Sequence, residues 1–243
     1  MKKYSMILIA VTIVSIIVGF AYHTRGSSGI RLLNSASRKM ETESADFGKS
    51  EVKEIKIDVD YEHFYFVTGE KLEVTSIFPE EELPKTTFEN GVLTISQDIP
   101  DSDFTLRIRN KDEEYSTKIV IPEGTIPENI DIQGRDVDVV MDDITGKNLI
   151  TKINDGDIDI KNGKFTNVTY NHNDGDISLD GEFGIADVNT DDGEVTIKGK
   201  YEQITAYTND GDITVDTESD IDINKIKVYS ENGHVTVNGS EWK

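Results

Sequence analysis

From Val52 onward, apolar and polar residues alternate with a period of two. Ile55, Ile57 and Val59 are separated by Lys56 and Asp58, and Phe64, Phe66, Leu72 and Val74 continue the habit. Successive side chains of an extended strand point to opposite faces, so the pattern predicts half-buried β-strands. Glu89-Asn90-Gly91-Val92 lies between Thr86-Thr87-Phe88 and Leu93-Thr94-Ile95. Asn-Gly between apolar runs predicts a tight hairpin, because both turn residues take positive φ. Thr68-Gly69-Glu70 predicts another tight turn between consecutive strands. Phe104, Leu106, Ile108, Ile119 and Ile121 complete an N-terminal β portion, 51–121, and Pro122 and Pro127 flank a connector into the C-terminal half.

Beyond that connector one turn repeats. Asn154-Asp155-Gly156-Asp157-Ile158 returns at Asn173 to Ile177, Asp191 to Val195, Asn209 to Ile213 and Glu231 to Val235, with the glycines 19, 18, 18 and 22 residues apart. A near-fixed period is the signature of stacked supersecondary units, so 130–243 reads as a repeat array. Gly163, Gly181, Gly199 and Gly239 mark a second turn six or seven residues later, and Ile130, Ile132, Val137 and Val139, with Gly134, read as a degenerate first rung. Each rung offers one equivalent apolar pair: Ile158 and Ile160, Ile177 and Leu179, Val195 and Ile197, Ile213 and Val215, Val235 and Val237. Such a pair is buried only against neighbouring rungs. The expectation is an all-β, parallel β-helix-like solenoid in which these pairs stack and Asp159, Ser178, Thr196, Thr214 and Thr236 face solvent. The rival is an antiparallel meander in which every Asp-Gly turn is a hairpin loop.

The N-terminus changes the picture from a fold to a location. Lys2 and Lys3 precede an uncharged run, 4–22, rich in Ile and Val. At about 1.5 Å per residue it nearly matches the roughly 30 Å of bilayer hydrocarbon. We therefore expect a transmembrane signal-anchor with residues 1–3 cytoplasmic, although Gly19 and Ala21 leave cleavage open. A Ser- and Gly-containing tether, 23–50, would lead to an extracytoplasmic domain, 51–243. That domain is strongly acidic: residues 41–243 hold 19 basic and 47 acidic side chains. Such a field repels nucleic acid and attracts cations and basic protein surfaces. The absence of cysteine removes disulfides, thiolate zinc sites and a cysteine nucleophile.

Candidate chemistry is sparse. With so many carboxylates, acid pairs arise from density alone, and the array's few basic residues do not recur with the repeat, which argues against a glycosidase-like centre. His23, His63, His172 and His234 show no metal spacing, and we expect His172 and His234 to lie on the surface. Trp242 is expected to cap the last rung. The metal candidates are the turn carboxylates, Asp155, Asp174, Asp192 and Asp210 in one file and Asp157, Asp176, Glu194 and Asp212 in another. Stacked rungs would set like charges roughly 4.8 Å apart. Either hydrogen bonds to turn amides absorb the repulsion or calcium bridges the rungs. The turns match neither an EF-hand loop nor the glycine-rich nonapeptide calcium repeat.

Pro122, the recurring Gly156-Asp157-Ile158 and Gly175-Asp176-Ile177 segments, and the alternation around them resemble the bacterial "putative adhesin" family of cell-envelope domains. The resemblance runs from Val52 to the C-terminus. It implies a β-solenoid-like ectodomain, in some members associated with envelope-stress operons, and carries over no catalytic residues. The expected function is a non-catalytic, membrane-anchored binding or envelope-organising module, partnered by a cell-envelope component or a basic protein surface. The alternative is a carbohydrate-active enzyme on a β-helix.

Overall fold

The computed structural model describes residues 33–34, 40–79, 82–97, 107–108, 115–217 and 221–242. The apolar segment 4–22 and most of the expected tether lie outside these residues. Among those described, no helix is long and apolar enough to cross a membrane. The chain divides into two units. In the smaller, β1 (Leu33–Asn34) pairs in parallel with β7 (Arg107–Ile108). The remaining described strands belong to the larger.

The larger unit is an all-β solenoid of about 6 turns. Its long strands are β3 (Glu54–Gly69), β9 (Asn129–Asp142), β10 (Thr145–Asp155), β11 (Ile158–Asp174), β12 (Ile177–Asp192) and β13 (Val195–Asp210). Most of them serve two sheets, because they bend at a corner and continue. A front sheet stacks 54–58, 129–133, 148–152, 167–171, 185–189 and 203–207, all in parallel. It is extended at one end by β6 (Val92–Ser96) and at the other by β15 (Ile226–Ser230), also parallel. A back sheet stacks 63–66, 138–141, 158–160, 177–179 and 195–197 with β14 (Ile213–Thr217) and β16 (Val235–Val237). The Asn-Asp-Gly-Asp turns join front to back, and the corners at Gly163, Gly181 and Gly199 return the chain.

Parallel pairing excludes the meander. Ile158, Ile177, Val195, Ile213 and Val235 are direct cross-strand partners and all buried, and so are Ile160, Leu179, Ile197, Val215 and Val237. Each buried aliphatic side chain contributes roughly 1.5–3 kcal/mol. The residues between them point outward and are half-buried by their neighbours. At the corner, Phe165, Phe183 and Tyr201 form a buried ladder, with centroids 6.1 and 5.1 Å apart.

The irregular spacings have local causes. The 19-residue step contains a bulge between Ile160 and Gly163, where Asn162 adopts a φ of 52°. The 22-residue step contains an excursion with a 3-10 turn, Ile223–Lys225. Between rungs the turn glycines nearly touch: a Cβ on Gly193 would lie 2.1 Å from the carbonyl oxygen of Gly175. No other residue fits that file.

Several expectations are refined or corrected. Met40–Gly48, inside the expected tether, is strand β2, antiparallel to β4 (Leu72–Pro79). Thr68-Gly69-Glu70 leads into the expected tight connection between consecutive strands, with only Glu70 and Lys71 between β3 and β4, yet the two strands are not paired, since β8 (Ser116–Pro122) lies between them. The N-terminal β portion continues into the array, with Ile55 and Ile57 stacked directly on Ile130 and Ile132. Gly134 is not a turn glycine but pairs with Ile153, and Gly239 belongs to the terminal hairpin of β16 with β17 (Ser240–Glu241). The hairpin at Asn90-Gly91 forms as expected, with φ of 53° and 85° between β5 (Lys85–Glu89) and β6.

Candidate functional site

The array brings the turn carboxylates together as two files along one edge. Asp155, Asp174, Asp192 and Asp210 are direct partners, headed by Asp136. The other file is headed by Asp138 and ends in His234. Its carboxylates are turned into acceptors: the amides of Asp157, Asp176, Glu194 and His234 donate to Oδ1 of Asp138, Asp157, Asp176 and Asp212 at 2.8, 2.9, 2.8 and 2.7 Å. A carboxylate that accepts a main-chain N–H keeps its charge at little penalty. The amide bonds expected to offset repulsion are thus present in this file.

The first file is less relieved. Partial burial holds the carboxyls of Asp155 and Asp192 above the usual range, and the charge of Asp174, with a hydrogen bond shared with it, adds to the effect. These side chains lie in a line rather than around a point. Among the described residues, no group of three or more His, Asp or Glu is arranged to hold a metal ion.

Beneath the turns runs an inward polar file that side-chain type alone would place on the surface. The Thr190 hydroxyl lies 2.9 Å from the carbonyl of Asp192 and the Thr208 hydroxyl 3.2 Å from that of Asp210, while Ser230 donates to Gly211 at 2.7 Å. They brace the turns from inside. His172 occupies the same file and is only 4% exposed, which corrects its surface assignment. Its Nε2 bonds the Thr151 hydroxyl at 3.0 Å, and burial pushes its pKa down to about 4, the backbone of Gly156 opposing. His234 is on the surface as expected, and Trp242 packs against the end of the core. His63 Nδ1 sits 2.7 Å from Asp138.

A second buried ionisable group went unmarked in the sequence. Glu62 is 2% exposed, and burial pushes its carboxyl up to about 8. Neither oxygen has a hydrogen bond of good geometry. The Thr117 hydroxyl, committed to Ser76 at 2.6 Å, opposes the shift too weakly to offset burial.

One open depression of 310 Å³ lies at the return corner, where Glu182 meets Lys164 and Lys200, each at 3.8 Å. Acids and lysines converge there, as an enzyme would require. All three side chains are more than half exposed, however, so nothing desolvates an acid for proton transfer.

Comparison with solved structures finds one that shares this fold and others of lower similarity. A "putative adhesin" from Bacteroides fragilis is 20% identical, with a TM-score of 0.52 over 83% of this chain and 97% of that one. A "putative cell adhesion protein" from Clostridium sporogenes is 12% identical, with a TM-score of 0.43 over 82% and 99%. A "putative lipid binding protein" from Parabacteroides distasonis is 14% identical, with a TM-score of 0.32 over 81% and 96%. Among curated proteins nothing matches. Residues 52–243 match the family model described as Toastrack DUF4097, and the chain belongs to that family.

Proposed function

We propose that this protein is a non-catalytic binding module of the cell envelope, anchored in the membrane through residues 4–22 with its acidic solenoid outside the cell. The observation that carries the reading is the contrast between inside and outside. The inward files repeat rung after rung, while the outward faces present a regular polar surface without a desolvated acid–base pair. Such a surface suits recognition of an extended envelope component or a basic protein surface. The name of the Bacteroides fragilis neighbour agrees with binding. The anchor rests on the length of the apolar run and on the lysines before it.

Two measurements test the reading. Mass spectrometry of the membrane fraction should recover a chain that retains 4–22, and external protease should reach the solenoid in intact cells. A mature N-terminus near Tyr22, or protection of the solenoid from protease, refutes the topology. The wild-type chain, with its apolar segment held in nanodiscs, should also sediment with isolated envelopes, and failure to do so refutes the binding role.

A further inference from the structure

Among the described residues, Tyr229 is the most exposed large apolar side chain, at 57%. It stands on the outward face of the front sheet in a file that reads Gln133, Lys152, Asn171, Asn189, Tyr207, Tyr229. Its ring stacks on Tyr207, centroids 5.8 Å apart and planes 20° from parallel. Stacking along the file covers one face of Tyr229. The opposite face looks past β15, whose only strand partner among the described residues is β13. Cross-strand pairing alone would account for two stacked rings. It does not account for placing the larger exposed aromatic surface where no further described strand covers it, when the inward Phe165, Phe183 and Tyr201 ladder is buried throughout.

Hydrogen-bonding groups surround the pair. Asn189 precedes Tyr207 in the file, Glu231 follows Tyr229 on the same outward side, and Asp191 lies one outward position beyond Asn189. Burial comes first, and the charges of Glu231, Tyr229 and Asp191 next, in holding the Tyr207 hydroxyl above its usual range, with a hydrogen bond to Glu231 contributing. An aromatic face beside amide and carboxylate acceptors matches a sugar ring, whose C–H face is apolar and whose rim is hydroxyls. The carboxylates and the strongly negative domain disfavour an anionic polymer. A polypeptide strand is the less suitable occupant, because β15 is five residues long and carries Lys227 on its outward side, features that blunt an edge against strand addition.

We propose that Tyr229 and Tyr207, with Asn189, Asp191 and Glu231, form a binding platform for an uncharged polysaccharide, one sugar ring resting on the free face of Tyr229. This inference rests on the binding-module reading and specifies its ligand. The test is calorimetric titration of the full chain in nanodiscs with glucose hexasaccharides linked β-1,3, β-1,4 and α-1,4, with the N-acetylglucosamine hexasaccharide, and with polygalacturonate. At least one uncharged hexasaccharide should bind and polygalacturonate should not. Tyr229→Ala should weaken binding about tenfold, as loss of one stacking face implies, and Tyr229→Phe should leave it within about twofold. Absence of binding by all four uncharged sugars, or binding indifferent to Tyr229→Ala, overturns the platform. Envelope binding that depends on Tyr229, survives periodate and is lost on protease treatment of the envelopes overturns it in favour of a polypeptide. Envelope binding that ignores Tyr229 refutes the platform alone, whereas no envelope binding by wild type refutes the module as well.

Discussion

Replacing Glu62 by Gln should change how stability depends on pH. The carboxyl titrates near 8 in the folded chain against 4.5 for an ordinary glutamate. A raised acid binds its proton more tightly when folded, so its contribution is fully present below about 4.5 and is lost as pH rises towards 8. Each pH unit in that window removes about 1.4 kcal/mol. His172 acts in the opposite sense. Its folded value near 4 lies below the ordinary 6.5, so its contribution is present above 6.5 and lost as pH falls through 4. Between 4.5 and 6.5 the two slopes nearly cancel. From 6.5 to 8 Glu62 acts without that opposition, and the wild-type chain should lose about 2 kcal/mol of stability through it.

The assay is urea denaturation at half-unit steps from pH 5 to 8, on a chain beginning at Lys39 so that β2 is retained. The comparison concerns slopes, because a buried amide has its own unmet hydrogen bonds and shifts the absolute level. His63, beside Asp138, is common to both chains, so its contribution drops out of the difference. The expected result is a wild-type curve that falls above pH 6.5 more steeply than that of Glu62→Gln, by about 1.4 kcal/mol per unit. Parallel curves would refute the reasoning and show that Glu62 is ionised, and therefore hydrated, in the folded chain.

Other substitutions address the stack and the turns. Ile177→Asp puts an unpaired charge at a position that is 1% exposed and should abolish the cooperative thermal transition, whereas Thr196→Asp, on the outward side, should shift the midpoint only slightly. Gly193→Ala should cost about 3 kcal/mol or more, because its Cβ would lie 2.1 Å from a main-chain oxygen, while Gly124→Ala, with open space around it, should cost about 1 kcal/mol for its positive φ. Calcium and sodium at equal ionic strength should raise the melting temperature equally, since one carboxylate file is occupied by turn amides and neither converges on a point. A clearly larger effect of calcium would establish bridging between rungs.

The stacked rungs were legible because the evidence for them is local and repeated. Once Gly156, Gly175 and Gly193 fix the period, the partners of Ile158 follow by counting. Pairings without a repeat were not legible. Alternation assigns each residue of β3 a face but does not name the neighbouring strand, so the insertion of β8 beside β3 left no local trace. Strand β2, with Glu41, Glu43 and Asp46 among its residues and no regular burial pattern, looks like a tether because its neighbour β4 supplies the order. The buried polar residues are a different case, since their signal was present. Counting back in twos from Phe66 and Phe64 turns Glu62 inward, and counting on from Ala186 and Val188 turns Thr190 inward. Residue type pointed outward and phase pointed inward, and phase prevailed because a one-residue slip would reverse every apolar neighbour.

The same dominance of phase explains where recognition can reside. An inward position answers to the rungs on both sides, so Ile158, Ile177, Val195, Ile213 and Val235 stay apolar and similar in size. An outward position answers to solvent on one side, and neighbouring rungs constrain it only through cross-strand contact. The outward file from Gln133 to Tyr229 accordingly changes from amide to cation to amide to aromatic along six rungs, although its backbone register is as regular as any inside. A fold that fixes its core so rigidly by repetition leaves its chemistry to these outward files, and most of all to Tyr229, which no described strand beyond β15 covers.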